Sequence, residues 1–220
     1  MGVGRRQFLK LSGLALAGLS IDPLQAVVTN NDYYVNKKLG IILRKPSAWM
    51  FVKVKDFGKL RDKQVLGNGW DEKSEEAWEI LGEQICVITK YDPDNPMYKG
   101  ILSPTITLDI EPESELGDIQ LEDYGKFLNR QSELGLSFLK DARVIKSYDP
   151  YLLNGNRFYE HDYEYLLEHT ELSKPLEMQA KVILTRHSGL FYEFHFHQSL
   201  EAGQPAEFEF NQFKKDIKLI

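Results

Sequence analysis

The sequence predicts an α+β domain, an antiparallel sheet of about six to eight strands with helices packed on its faces. Three observations predict it. Beyond residue 140 or so, apolar and polar residues alternate with period 2 in runs separated by turn residues. Leu121–Leu139 instead carries Leu121, Tyr124, Phe127, Leu128, Leu134 and Phe138 at the spacings of one helix face. Behind Pro205, a residue suited to opening a helix, Phe210, Phe213 and Ile217 repeat in the same way.

Taken in order, the chain begins with a targeting segment. Residues 1–26 run from basic (Met1–Lys10) through apolar (Leu11–Ile21) to polar (Asp22–Ala26), the layout of a secretory signal peptide. The apolar stretch is much shorter than the ~20 residues that cross a bilayer, so no stable membrane anchor is expected once the segment is cleaved. Leu24-Gln25-Ala26 places a small residue for cleavage after Ala26. Arg5-Arg6-Gln7-Phe8-Leu9-Lys10 resembles the twin-arginine signal Ser/Thr-Arg-Arg-x-Phe-Leu-Lys and departs from it only at Gly4. Arg5, Arg6, Phe8, Leu9 and Lys10 are therefore the expected contacts with the export machinery. The resemblance implies transport of an already folded chain and a periplasmic, bacterial location.

The mature part is expected as a linker over 27–38 and one domain over 39–220. Val27–Lys38 is polar around Asn30-Asn31-Asp32. Leu39–Leu43 and Trp49–Val54 are β-rich runs parted by Lys45-Pro46-Ser47. Gly58–Asp71 is a glycine-containing loop without the spacing of a phosphate loop, and Glu72–Leu81 reads as a short helix. Ile85–Lys90 and Ile101–Ile110 read as strands on either side of a turn over Asp92–Lys99. Ala142–Ser147 and Asn156–Leu167 flank Asn154-Gly155, a hairpin signal. Met178–Thr185 and Gly189–Gln198 flank a second hairpin at Arg186-His187-Ser188.

Net charge is −6, and losing residues 1–26, with Arg5, Arg6 and Lys10 against Asp22, makes it −8. An acidic chain lacks the basic footprint that nucleic acid or an anionic membrane surface requires. The single cysteine, Cys86, lies in the apolar run Ile85-Cys86-Val87-Ile88, which predicts a buried, inert thiol and allows no intramolecular disulfide.

This order of elements resembles the PsbP-like fold. The resemblance rests on an export signal, then Leu39-Gly40-Ile41-Ile42-Leu43 running into Pro46-Ser47-Ala48-Trp49. A long helix in mid-chain, a strand meander and a Phe-rich helix over Phe208–Ile220 follow. That fold is an α-β-α sandwich shared by oxygen-evolving photosystem subunits and a Ran-binding nuclear-import factor. The resemblance spans Tyr33–Ile220 and implies a non-catalytic binding or assembly module. It transfers no binding residue, because no matching motif carries one.

Chemistry concentrates in Leu190–Leu200. Leu190, Tyr192, Phe194 and Phe196 fall on one side of a strand, and Phe191, Glu193, His195 and His197 on the other. Imidazoles at i and i+2 stand about 6.5–7 Å apart along a strand. With Glu193 they form a candidate set for zinc or copper, to which His161, His169 or His187 could add a ligand. The opposing expectation is a polar sheet face holding no metal or other cofactor. The acidic run Asp109, Glu111, Glu113, Glu115 and Asp118 reads as a solvated loop, since it lacks a calcium-loop pattern. Over Tyr159–Tyr165, Glu160, Asp162 and Glu164 share one face, expected to be exposed, and Tyr159, His161, Tyr163 and Tyr165 share the other. Trp49 reads as core. Trp70, in the glycine-containing loop, is with Tyr159, Tyr163 and Tyr165 the expected surface for a partner.

The chain lacks a Gly-x-Ser-x-Gly elbow, a Cys/His signature and a His-Glu-x-x-His pattern. The expected function is therefore an exported binding or assembly protein without catalysis, with an unidentified protein or small-molecule partner. The alternatives are a metal-dependent protein or enzyme centred on His195 and His197, and a small-ligand carrier with a pocket between sheet and helix.

Overall fold

Alternating runs become strands because each strand offers its two faces to different neighbours. A computed structural model describes residues 27–29, 32–52, 86–92, 95–98, 101–127, 139–167, 174–200 and 206–220. The expected export signal, the Gly58–Asp71 loop with Trp70, the helix over Glu72–Leu81, residues 128–138 and His169 lie outside the described residues.

The small sheet is antiparallel and runs β1 (Val27–Thr29), β2 (Tyr33–Asn36), β3 (Ile41–Arg44), β12 (Lys218–Leu219) across its width. The large sheet comprises β4 (Met50–Val52), β5 (Cys86–Thr89), β6 (Thr105–Pro112), β7 (Leu139–Ser147), β8 (Tyr151–Leu153), β9 (Asn156–Leu167), β10 (Leu176–His187) and β11 (Leu190–Ser199). Its order is β4-β5-β6-β11-β10-β9-β7, with β8 paired to β9. Two hairpins turn on two residues each. Asn154 (φ 50°) and Gly155 (φ 84°) join β8 to β9, and Ser188 (φ 51°) and Gly189 (φ 77°) join β10 to β11. Positive φ at both positions matches the right-handed strand twist. The second turn therefore lies at Ser188-Gly189, and Arg186 and His187 belong to β10.

The register sorts side chains onto two faces of the large sheet. Ile106, Leu108, Phe158, Ile183, Tyr192, Phe194 and Phe196 face the small sheet and one helix, α1 (Glu207–Lys215), and form a core with Ile41, Leu43, Trp49, Phe210 and Phe213. Trp49 meets Phe210 edge to face at 5.8 Å between ring centroids. Cys86 is buried in this layer, and burial pushes its thiol far above the usual range. On the opposite face Tyr159, Tyr163, Tyr165, Val182, Leu184 and Phe191 pack with Leu116, Leu121 and Tyr124. Leu121 opens a 3-10 turn and residues 124–127 continue as helix. Gly125 brings this turn down onto the sheet, since a Cβ there would stand 3.1 Å from the His161 ring.

This architecture corrects the expected sheet with helices on its faces. The described residues form two antiparallel sheets, with α1 as their only α-helix of more than one turn. The physical reason lies in the strands. β9 and β10 each run 12 residues, and β1–β3 join β12 in a second sheet on a face expected to be helix-covered. The stretch expected as a linker, 27–38, supplies β1 and β2. Asp32 lies in the turn that leads into β2, and Tyr34 and Asn36 are buried. The acidic run also differs, because Asp109 and Glu111 lie on β6 and Glu113 opens a 3-10 turn. Glu160, expected on an exposed face, is 3% exposed.

The end of the chain closes the small sheet. The Ile220 N–H donates to Gly40 O at 2.8 Å, and the Tyr192 hydroxyl donates to Leu39 O at 2.6 Å. Gly40 has φ 60°, and a Cβ there would stand 2.7 Å from Ile220 O. Gly40→Ala combines left-handed strain of about 1–2 kcal/mol with displacement of β12. The expected result is a melting temperature lower by roughly 4–8 °C for about 2 kcal/mol lost, measured by thermal denaturation. An unchanged midpoint would remove Gly40 from the account.

Candidate functional site

The residues singled out on β11 lie on the sheet face away from the small sheet. Glu193 stands opposite Asp109 of β6, and His195 opposite Thr107. His195 Nε2 lies 2.8 Å from Glu193 Oε1 and 4.0 Å from Asp109 Oδ2, so one imidazole sits between two carboxylates. The Tyr124 hydroxyl donates to the same Glu193 oxygen. On the other side of the ring, the Tyr163 hydroxyl is 3.1 Å from His195 Nδ1, and the Tyr165 hydroxyl is 3.1 Å from His197 Nδ1. These contacts cross all of β10, because β9 and β11 are not neighbours. Two strand spacings are about 9.6 Å. Tyrosine and histidine span that gap because Ala180 and Val182 beneath them are small or short.

The electrostatics follow from crowding at partial burial. Side chains of Glu193, His195 and Asp109 are 16%, 20% and 25% exposed. Burial pushes the Asp109 carboxyl up to about 8; Glu193 and Glu111 reinforce this and His195 opposes it. For Glu193 burial acts upward, but the His195 charge and the hydrogen bonds from His195 and Tyr124 outweigh it and hold the carboxyl below its usual range. Burial likewise acts downward on His195 and is overcome by Glu193 and Asp109, so the imidazole keeps its proton above the ordinary histidine range. The Tyr124 phenol is pushed well up by burial first and by Glu193 second. Thr107 is 1% exposed, and its hydroxyl oxygen is buried without a hydrogen-bond partner.

The structure thus brings Glu193 and His195 together and places His197 beside them, its ring stacked 5.7 Å from that of His195. It adds Asp109, Tyr124 and Tyr163. His161 shares the face but turns to Ser147, with Nδ1 2.9 Å from Oγ, and His187 bonds Asn156 at the end of the sheet. Among the described residues no three His, Cys, Asp or Glu side chains converge as a metal site. Tyr159, Tyr163 and Tyr165, expected at a partner surface, are buried at 9%, 5% and 2% exposure.

A second constellation lies on the opposite face, between the sheet and the start of α1. Phe196 and Phe210 line a cleft of about 250 Å³, together with Gln179, Gln198, Lys181, Asp162 and Glu207. Gln198 does two jobs here. Its Oε1 accepts the Ala206 N–H at 2.8 Å, tying down the entry to α1, and its amide nitrogen donates to Gln179 Oε1 at 2.9 Å. Lys181 donates to Glu160 and Asp162 at 2.7 Å each, Lys214 donates to Glu160 at 2.8 Å, and Glu207 lies 3.9 Å from Lys181 at the rim. Sequence reasoning passed over this cleft. The available signal was Gln179 and Lys181 alternating with Met178, Ala180 and Val182 in mid-strand, which implies polar partners on neighbouring strands.

Fold and sites together define a two-sheet antiparallel protein with a polar cleft on one face and a histidine–carboxylate cluster on the other. No family model matches the chain, and no curated protein matches it. Among solved structures, it is similar to cyanobacterial PsbP (CyanoP) from Synechocystis sp. PCC 6803. Identity is 16%, the match covers 90% of this chain and 99% of that one, and the TM-score is 0.48. It is also similar to LpqN of Mycobacterium tuberculosis, described as involved in cell envelope biogenesis, at 12% identity, 81% and 82% coverage and TM-score 0.44. At that level of likeness no activity, partner or ligand carries across. Among the described residues no helix is long and apolar enough to cross a membrane.

Proposed function

We propose that the protein is exported through its N-terminal segment and acts in the periplasm as a binding protein without catalysis, carrying a small ligand in the cleft between β10, β11 and α1. Export is supported by Arg5-Arg6-Gln7-Phe8-Leu9-Lys10 and the short apolar run behind it. The observation that carries the binding role is the cleft's mixed lining. Two phenylalanine rings offer an apolar floor, and the Gln179 amide and the Glu207 carboxylate offer hydrogen bonds at the rim. Ligand sites combine these features, with apolar area supplying affinity and a few fixed polar groups supplying orientation. A volume of about 250 Å³ falls below the ~300–1,000 Å³ of sites for drug-sized molecules, so the occupant is smaller than those.

The test is native mass spectrometry of untagged protein recovered from the periplasm, beside Gln179→Phe, which fills the rim with a ring. The expected result is a small molecule retained by the wild type and missing from the variant. An empty wild-type protein, or equal retention by both, overturns the reading.

A further inference from the structure

A lysine ammonium has three N–H donors, and Lys181 spends two of them within the sheet, on Glu160 Oε1 and Asp162 Oδ1 at 2.7 Å each. The Tyr148 ring, with its centroid 4.9 Å from Nζ, attracts the charge but supplies no oxygen acceptor. The next carboxylate oxygen is Glu207 Oε1, across the cleft at 3.9 Å, which is beyond hydrogen-bond reach. A polar pair at that separation is completed by an atom standing between them. Gln179 is placed similarly. Its Oε1 is occupied by the Gln198 amide, which fixes the side chain, and its own amide nitrogen has no partner among the described residues. Glu207 Oε1 accepts from Asn211 at 3.2 Å, and the carboxylate, 53% exposed, keeps further lone pairs. The lining therefore offers an occupant donors and acceptors side by side. Its charge limits that occupant. Lys181 and Lys214 answer Glu160 and Asp162, and only Glu207 is left over at the rim. An anion would meet Asp162 and Glu207, and a cation beside Glu207 would meet Lys181, so a neutral molecule is favoured.

Among neutral groups, a carbonyl or an ether only accepts, and would leave Glu207 without a donor. A hydroxyl accepts and donates through one oxygen, which at ordinary hydrogen-bond distance from each bridges two groups 3.9 Å apart. A trans amide points its C=O and N–H in opposite directions and cannot serve both. We infer, on the carrier reading above, that the occupant of the cleft is a neutral polyol of monosaccharide size. One hydroxyl accepts from Lys181 and donates to Glu207, and a second accepts from the Gln179 amide. The C–H side of the ring lies against Phe196 and Phe210, whose centroids stand 5.2 Å apart in the lining. A pyranose carries both kinds of surface, hydroxyls around its rim and C–H groups on its faces. The volume of about 250 Å³, below that of sites for drug-sized molecules, suits a single such ring.

The experiment is an amide NMR titration of the ¹⁵N-labelled periplasmic protein with glucose, galactose and mannose. Tetrahydropyran, the same ring without hydroxyls, and 2-piperidone, a lactam of similar size, serve as controls. Saturable shifts are expected from at least one hexose, at the Gln179 and Gln198 side-chain amides and the backbone of Ala206–Phe208. The uronate and 2-amino-2-deoxy forms of the hexose that binds should be at least fivefold weaker. Glu207→Ala, at a half-exposed position that leaves the fold intact, should weaken the hexose at least fivefold, and Gln179→Phe should abolish its shifts. Equal affinity of the hexose for wild type and Glu207→Ala overturns the inference. So does silence from all three hexoses at about 100 mM, where even a millimolar Kd is saturated. Shifts from tetrahydropyran or 2-piperidone alone overturn the polyol and leave the carrier reading standing. An empty protein in the native mass spectrum, with silence from every probe, overturns both.

Discussion

Lys181→Met is expected to lower stability by about 3 kcal/mol or more and the melting temperature by roughly 10 °C. Lys181 holds Glu160 and Asp162 at 2.7 Å each, with side-chain exposures of 9% for the lysine and 4% for Glu160. Methionine keeps the stem but leaves a buried carboxylate short of a partner, which costs more than the pair itself contributes. Lys214 and the Tyr151 hydroxyl, each 2.8 Å from Glu160, retain part of the compensation. The loss depends on pH with a definite sign. Burial acts upward on Glu160, but hydrogen bonds from Lys181, Lys214 and Tyr151 hold it below its usual range. Its contribution is therefore complete above the unfolded glutamate pKa of about 4.3 and is lost as pH falls through the lower folded value. In the variant, protonating Glu160 relieves the unpaired charge. Chemical denaturation of both proteins should show a gap that is widest near pH 7 and narrows toward pH 4. A gap independent of pH would assign the loss to packing alone.

Phe213→Ala is expected to cost about 3–5 kcal/mol, the range for removing a buried aromatic ring. Phe213 is 1% exposed and meets Phe194 and Phe196 edge to face at 6.3 and 5.8 Å. The same helix supplies the control. Phe208 is 72% exposed, so Phe208→Ala should move the denaturation midpoint by no more than about 0.5 kcal/mol. Comparable losses at the two positions would mean that α1 docks by another face.

That contrast between Phe208 and Phe213 was legible in the sequence, because Phe210, Phe213 and Ile217 repeat at helical spacing and Phe208 stands outside the stripe. The Asn154-Gly155 hairpin was legible for the same kind of reason: its residues are those that tolerate positive φ. The alternation across Leu190–Leu200 likewise assigned Tyr192, Phe194 and Phe196 to the core. What escaped depends on pairing between distant residues. Tyr33–Asn36 forms a strand because β3 and β12 complete a sheet with it, and nothing local announces that partner. Glu160 is buried rather than exposed because its lysine lies 21 residues away on the next strand. At the site, spacing on one strand joined Glu193 to His195, whereas Asp109 and Tyr163 arrive through register, the latter from 32 residues away. Trp70 lies outside the described residues.

The pairing of Lys218 with Ile42 and Leu219 with Ile41 sets a clock on folding. The small sheet is complete only once residues 218–219 have paired with β3, far earlier in the sequence, whatever the intervening hairpins have done. Contacts such as Tyr192 to Leu39, 153 residues apart, mature with it. Loop closure over such separations is slow, so the core is finished late, well after the local hairpins have formed. A tag fused after Ile220 would sit on the closing seam, and one placed ahead of Val27 would leave that seam free.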